Sequence, residues 1–401
     1  RHLNIMQQLL CHSLVLKCIL QQKMFILFIF SVLLFFLYCG LMLFYANVFK
    51  KTSCYKPVNS SIALSSFPKI SIIIPARNEE KNIGPLLLSI QQQTIATEKF
   101  EVIIVDDFST DRTAAIVQQF AFAKLIQLKN VVGTQHINSY KKKAIETGIA
   151  HCNGELIVTT DADCSVPEKW LETIAAFYLQ HKPEFIVMPV TINHNNRFIE
   201  IFQALDFMGM QGITATMVHH MCNGANLAYT QKAFYAVNGF NGINAIASGD
   251  DMLLMHKIAK QFPGEIKYLK SKEVMVQTAP VKSLKEFFQQ RIRWASKADQ
   301  YNEKGIFLAL LLVYLFNVLL LVYPIVTLLT GHAKYLTAWV FMIVTKTIAE
   351  LIFLFPVALF FNKQKLLWLF PLLQPLHIIY IAIAGWLGKF GSYKWKGRMV
   401  K

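Results

Sequence analysis

The acidic pair in Asp161-Ala162-Asp163 directly follows the apolar run Leu156-Ile157-Val158-Thr159-Thr160. A strand that ends in two carboxylates one residue apart delivers both to the carboxyl edge of a sheet, where hard oxygen ligands suit Mg²⁺ or Mn²⁺ already carrying phosphates. A second pair, Asp106-Asp107, follows Val102-Ile103-Ile104-Val105, and a third, Asp250-Asp251, precedes Met252-Leu253-Leu254-Met255. Adjacent carboxylates repel unless they meet donors such as a base N–H, ribose hydroxyls or a metal. Asp250 and Asp251 also stand where a helix N-cap and a first-turn acid belong, and a helix start can position an acid that does chemistry. Gln290, Arg293 and Trp294, at i, i+3 and i+4, share one helical face and offer a cation for phosphate beside an indole for stacking on a sugar.

The elements that must position these groups are legible as a pattern. Between residues 67 and 296, short β-branched runs alternate with amphipathic stretches, as a largely parallel sheet with crossover helices requires. Strands are expected over 69–74, 100–105, 124–128, 155–159 and 185–190, and helices over 80–93 and 111–120, the latter capped by Ser109 or Thr110. The polar loops 75–80 and 106–111 then fall past strand ends, where ligands bind such sheets.

The rest of the chain belongs to a membrane. Its 401 residues are 54% hydrophobic, with mean hydropathy +0.39, and the apolar residues gather at the two ends. Stretches 24–49, 306–333 and 366–388 carry no Asp, Glu, Lys or Arg, and each is long enough to cross about 30 Å of hydrocarbon. A further stretch, 335–361, is interrupted only by Lys346 and Glu350, which stand four apart and are expected to pair inside a bundle. Residue 1 is Arg, Met24 is an attractive start, and the first stretch reads as a retained anchor. Lys50, Lys51 and Lys56 place the middle of the chain in the cytoplasm, with the inner membrane as the expected location. Three full crossings afterwards would leave Lys389, Lys394, Lys396, Arg398 and Lys401 outside, so either 366–388, with Pro371, Gln374, Pro375 and His377, is a re-entrant segment or the charge rule fails here.

The expected organisation is an N-terminal extension (1–23), a transmembrane helix (24–49), a linker (50–66), a catalytic α/β domain (67–300), a membrane region of two or three spans (301–388) and a basic tail (389–401). The net charge of +16 has no nucleic-acid motif beside it and suits anionic headgroups and a phosphorylated substrate. Seven cysteines without CxxC or Cys/His ligand spacing read as reduced thiols. Residues 198–218, rich in Phe, Met, Leu and Ile, fit either an amphipathic segment lying on the membrane or plain core.

Six segments taken in order, SIIIPARNEE, VDDFSTDRT, TTDADCSVPEKW, CNGANLAY, SGDD and QQRIRW, resemble those of a family 2 glycosyltransferase with the GT-A fold, a Rossmann-like, mostly parallel sheet, here flanked by transmembrane helices. The resemblance implies an inverting transfer of sugar from a nucleotide donor, with a divalent metal, Mg²⁺ or Mn²⁺. By position it implies that Pro75, Ala76, Arg77, Glu79, Asp106 and Asp107 hold base and ribose, that Asp161 and Asp163 hold the diphosphate through metal, and that Lys141 or Lys142 sits near the nucleotide. Asp251 takes the place of the general base. Asp250 stands where the family more often has Glu, which leaves the choice within the pair open. Asn223 and Gly224 resemble the acceptor-side turn, and Gln290, Arg293 and Trp294 the motif that closes over diphosphate and acceptor.

QxxRW points to two branches, synthases of β-linked polysaccharides and enzymes that glycosylate a lipid such as ceramide or diacylglycerol. The implied partners are a UDP-sugar, a membrane lipid or lipid-linked acceptor, and the bilayer; nucleic acid is not among them, and an accessory membrane subunit is left open. A non-catalytic membrane scaffold would be expected to have lost the metal or base carboxylates, and a nucleotidyltransferase does not account for QxxRW after SGDD.

Overall fold

The structure, a computed structural model, describes residues 2–56, 67–133, 137–195, 197–246, 249–296, 303–390, 393–395 and 398–400, with side chains described between 22 and 389. The elements run α1 (His2–Lys51), β1 (Ile70–Ala76), α2 (Ile83–Gln91), β2 (Phe100–Asp106), α3 (Thr113–Val117), β3 (Ala123–Gln127), α4 (Leu128–Val132), α5 (Tyr140–Ala150), β4 (Leu156–Thr159) and β5 (Cys164–Ser165). They continue with α6 (Trp170–His181), β6 (Phe185–Val187), β7 (Val190–Ile192), α7 (Phe198–Thr216), β8 (Leu227–Thr230), α8 (Gln231–Ala236), α9 (Met252–Gln261), β9 (Ile266–Tyr268), β10 (Val276–Thr278), α10 (Leu284–Ala295), α11 (Lys304–Thr330), α12 (Ala333–Phe360) and α13 (Phe370–Phe390).

The main sheet has the order β3-β2-β1-β4-β8-β6-β9, parallel from β3 to β4, with β8 antiparallel to both of its neighbours. Its inner strands β1, β2 and β4 are mostly apolar because both faces are covered. Ile72, Ile74, Val102, Ile104 and Val158 enter one core, while Ile73, Ile103, Val105 and Ile157 enter the other. Burying each such side chain contributes roughly 1.5–3 kcal/mol. A second sheet, β5-β10-β7, lies past the end of β4.

Three local expectations are corrected. The run 185–190 is not one strand: Met188 and Pro189 separate β6, in the main sheet, from β7, in the small one. Pro189 has no N–H for a ladder, and its carbonyl instead accepts from Val276 N and from Asn226 Nδ2. Helices α2 and α3 are shorter than 80–93 and 111–120 because the residues before them bind each other across the two loops. Ser109 does not cap α3. Its Oγ accepts from Asn78 N at 3.0 Å, and Thr110 N donates to Asn78 Oδ1 at 2.8 Å.

Among the described residues, four helices are long and apolar enough to cross a membrane: Gln22–Lys51, Lys304–Thr330, Ala333–Phe360 and Gln364–Lys389. The segment considered for re-entry is, by length and composition, among them. Lys346 and Glu350 do pair, at 2.7 Å, and Tyr38 and Gln374 complete their hydrogen bonds. Helix α7 is neither a purely surface segment nor part of a single core. Phe202, Leu205 and Met208 pack with these long apolar helices, and Phe207 packs with the sheet. A Cβ on Gly212 would lie 2.7 Å from Val357 Cγ2, so α7 and α12 touch closely at that glycine. Lys270 ties the sheet domain to α1 by donating to Phe49 O and Thr52 O, both at 2.8 Å, which satisfies carbonyls at the helix end.

Candidate active site

The site is built where β1, β2 and β4 end. Ala76 is in register with Asp106, and Asp107 N extends the ladder by donating to Ala76 O at 2.7 Å. Arg77 Nη1 donates to Asp107 O at 2.9 Å and lies 3.7 Å from Asp107 Oδ1. Glu79 N donates to Thr113 Oγ1 and Glu80 N to Asp111 Oδ2, so the two polar loops form one latched wall. Asn78 and Phe108 adopt left-handed backbone, φ 52° and 55°, an uncommon conformation for Phe that the latches and the edge contact of Phe108 with Tyr140 hold in place. Asp106 is buried, and its Oδ1 has no hydrogen-bond partner among the described residues.

Past β4 the chain alternates: Ala162 and Cys164 go to the core, while Asp161 and Asp163 remain partly exposed on the other side. Lys141, in the first turn of α5, reaches Asp161 Oδ1 at 2.8 Å and Asp250 Oδ2 at 3.1 Å. Burial opposes its charge, but Asp161, Asp250 and Asp251 outweigh that cost and hold the ammonium well above the ordinary lysine range. The same field acts on the Cys164 thiol, which burial and then Asp163 and Asp161 push well up.

Asp251 caps α9, its Oδ1 accepting from Met252 N at 2.8 Å, and its Oδ2 accepts from Gly224 N at 3.0 Å. A Cβ on Gly224 would stand 3.3 Å from Lys141 Nζ and 3.4 Å from Asp250 Oδ2, so the missing side chain is what leaves this junction open. Asn223 Oδ1 accepts from Ala225 N and shapes the turn. Asn226, in the same motif, is structural: fully buried, it accepts from Trp170 Nε1 and donates to Pro189 O and Val274 O. The segment before the turn is pinned to α1 and to the start of α11, Tyr45 bonding His219 Nε2 at 2.7 Å and His220 N donating to Glu303 at 3.0 Å.

Lys141, Asp161, Asp250, Asp251 and Gly224 thus converge from four separate parts of the sequence. Lys142 does not join them. Buried on the next helical position, it donates to Ile243 O and Ile246 O, both at 2.6 Å, and so anchors the chain leading to Asp250. Lys142→Met is expected to lower stability by about 1–3 kcal/mol, the cost of leaving buried carbonyls unmet. Thermal unfolding of the variant checks this, and a parental midpoint would remove its anchoring role.

Gln290 and Trp294 belong to a second cluster on α10. Trp294 packs on Phe207 of α7, ring centroids 6.2 Å apart, and on the guanidinium of Arg291, which also donates to Gln290 Oε1 at 2.7 Å. Arg291 and its partner Asp206 were not singled out by the motif. The signal available was only an arginine in a spacer position, and its partner lies 85 residues away.

The residues present fit a divalent cation that arrives with phosphates. Asp161 and Asp163 offer hard oxygen donors, and Lys141 links Asp161 to Asp250. Among the described residues no three His, Cys, Asp or Glu form a cage of their own, and a cation of the Mg²⁺ type is commonly held by one or two carboxylates together with substrate phosphates.

Known proteins agree with this architecture. Residues 71–237 match the model of glycosyl transferase family 2, and residues 156–362 that of glycosyl transferase family group 2. Glycosyltransferase AglE of Haloferax volcanii is 36% identical over 27% of this chain and 34% of its own length. The β-monoglucosyldiacylglycerol synthase of Synechocystis is 28% identical over 44% of this chain and 37% of its own length. The 4,4′-diaponeurosporenoate glycosyltransferase of Staphylococcus aureus is 32% identical over 44% and 47%. The chain thus spans less than half the length of these relatives. Among solved structures, the mannosyltransferase PcManGT of Pyrobaculum calidifontis, in complex with GDP-Man and Mn²⁺, superposes with a TM-score of 0.56 at 19% identity, covering 90% of this chain and 99% of that one. The fold is of the GT-A type, and with just over half of its length inside one family model the chain belongs to glycosyl transferase family group 2.

Proposed function

We propose that this protein is a membrane-embedded inverting glycosyltransferase that moves a sugar from a nucleotide-sugar, a UDP-sugar, to a lipid or lipid-linked acceptor at the cytoplasmic face of the membrane. The observation that carries the reading is the convergence of Lys141, Asp161, Asp250 and Asp251 on the open junction at Gly224. Direct inversion needs a base on the acceptor side and charge stabilisation on the leaving-group side.

Asp251 supplies the first. Two backbone N–H groups aim its carboxylate, and a carboxylate has lone pairs beyond those two, so it can take the acceptor hydroxyl's proton as the new bond forms. On the other side Asp161 and Asp163 would hold Mg²⁺ or Mn²⁺, which when bound neutralises charge on the departing diphosphate. Lys141 adds a cation there, and Asp250 keeps that cation in place. The latched wall of Arg77, Asp106 and Asp107 receives base and ribose; the unmet buried oxygen of Asp106 supports this, since such atoms call for a partner. Two of the relatives are named for diacylglycerol and diaponeurosporenoate compounds, which favours a lipid acceptor over a growing polysaccharide.

The test is transfer by the full chain in vesicles containing diacylglycerol, supplied in turn with UDP-glucose, UDP-galactose, UDP-N-acetylglucosamine and GDP-mannose, with mass analysis of the extract. A lipid heavier by one sugar is expected. A polymeric product would replace the lipid reading with the polysaccharide one, and no product with any donor, together with no nucleotide binding, would leave a scaffold.

A further inference from the structure

We propose that Arg291 and Asp206 form a positioning pair that sets Gln290 and Trp294 for transfer. Asp206 sits on α7 and Arg291 on α10, and both side chains are only 4% exposed. Arg291 Nε and Nη2 donate to Asp206 Oδ2 at 2.9 and 2.6 Å, while Nη1 donates to Gln290 Oε1 at 2.7 Å. The guanidinium carbon lies 4.6 Å from the Phe287 ring centroid and 4.3 Å from that of Trp294. One planar group therefore fixes both the amide and the indole, and its own plane is fixed by the carboxylate. The second oxygen of Asp206 accepts from the Tyr380 hydroxyl and faces His377 Nε2 at 3.8 Å, both from α13. Helix α10 approaches α13 so closely that a Cβ on Gly388 would stand 2.6 Å from Ala295 Cβ. The motif helix is thus seated on the membrane region through a buried charge.

Energetics separate positioning from simple adhesion. A buried ion pair carries a desolvation cost, and replacing both partners by apolar residues of similar volume is often neutral or stabilising. If the pair only glued α10 to α7, an apolar pair would serve as well. What an apolar pair cannot supply is the fork that orients Gln290 or the flat cation against Trp294.

The experiment uses the full chain labelled with 5-fluorotryptophan in nanodiscs of phosphatidylethanolamine and phosphatidylglycerol, with the Trp294 fluorine resonance assigned by its loss in Trp294→Leu. In Asp206→Leu/Arg291→Met the protein is expected to stay folded, its thermal midpoint lowered only by the Tyr380 hydroxyl left without its acceptor, while the Trp294 resonance shifts or broadens and the others do not. Sugar transfer in the vesicle assay falls at least tenfold, and adding Trp294→Leu causes no further loss, as coupled residues require. Arg291→Lys carries the same readouts should the double variant not fold. An unmoved Trp294 resonance overturns the proposal whatever the activity, and so does a moved resonance with parental transfer. The activity arm rests on the proposed function; absence of transfer by the parent protein would count against that reading alone, and the resonance would still decide the pair.

Discussion

Asp163→Ala is expected to abolish sugar transfer in membranes while leaving the protein folded and inserted. Asp163 lies on the partly exposed side of the alternation after β4, between the buried Ala162 and Cys164, so truncating it opens no core cavity. Substitutions at such positions usually change stability by no more than about 0.5 kcal/mol. The chemical cost is of another size. Neutralising a leaving diphosphate is worth several kcal/mol, and each 1.36 kcal/mol is a factor of ten in rate, so a loss of about 10³-fold or more follows. Asp161→Ala should be as damaging, with an added consequence: Lys141 keeps Asp250 but loses its 2.8 Å partner. The measurement is transfer and UDP affinity with Mn²⁺ and with EDTA. The UDP affinity of Asp163→Ala should no longer respond to Mn²⁺. Full activity of Asp163→Ala in EDTA would sink the assignment.

The regular half of this site could be read from composition because parallel strands are buried on both faces. Val102 to Val105 and Leu156 to Val158 are apolar throughout, and each polar loop after them marks a strand end. What sequence could not supply was the direction of side chains on helices and the partners of loops. Lys141 and Lys142 are adjacent and chemically equal, yet one turns to the acids and the other to Ile243 and Ile246, a distinction made by which face of α5 meets the core. Ser109 looks like a cap in one dimension and becomes a latch to Asn78 once β1 and β2 lie side by side. Arg291 is the plainest case. A motif written as QxxRW makes it a spacer, and only the approach of α7 and α13 shows it held by Asp206.

Asp251→Asn is expected to lower kcat by about 10²-fold or more with little change in donor affinity, the usual contribution of a positioned general base. Asn keeps the size of the side chain, but only one of its two terminal atoms accepts a hydrogen bond, whereas Asp251 now receives N–H groups on both oxygens, from Gly224 and Met252. The variant therefore loses the base and also one backbone contact, so a stability loss of about 1 kcal/mol accompanies the fall in rate. Asp251→Ala, which removes both contacts, should destabilise more without being slower, since the chemistry is already gone. Asp250→Asn acts differently. Its carboxylate is bound to Lys141 at 3.1 Å, so neutralising it slackens the cation proposed to face the diphosphate. The expected result is a raised KM for the donor and a smaller fall in kcat. Steady-state kinetics of the two variants with one donor and one acceptor separate the roles. A crippled Asp250→Asn beside a nearly normal Asp251→Asn would make Asp250 the base and reduce Asp251 to the cap of α9.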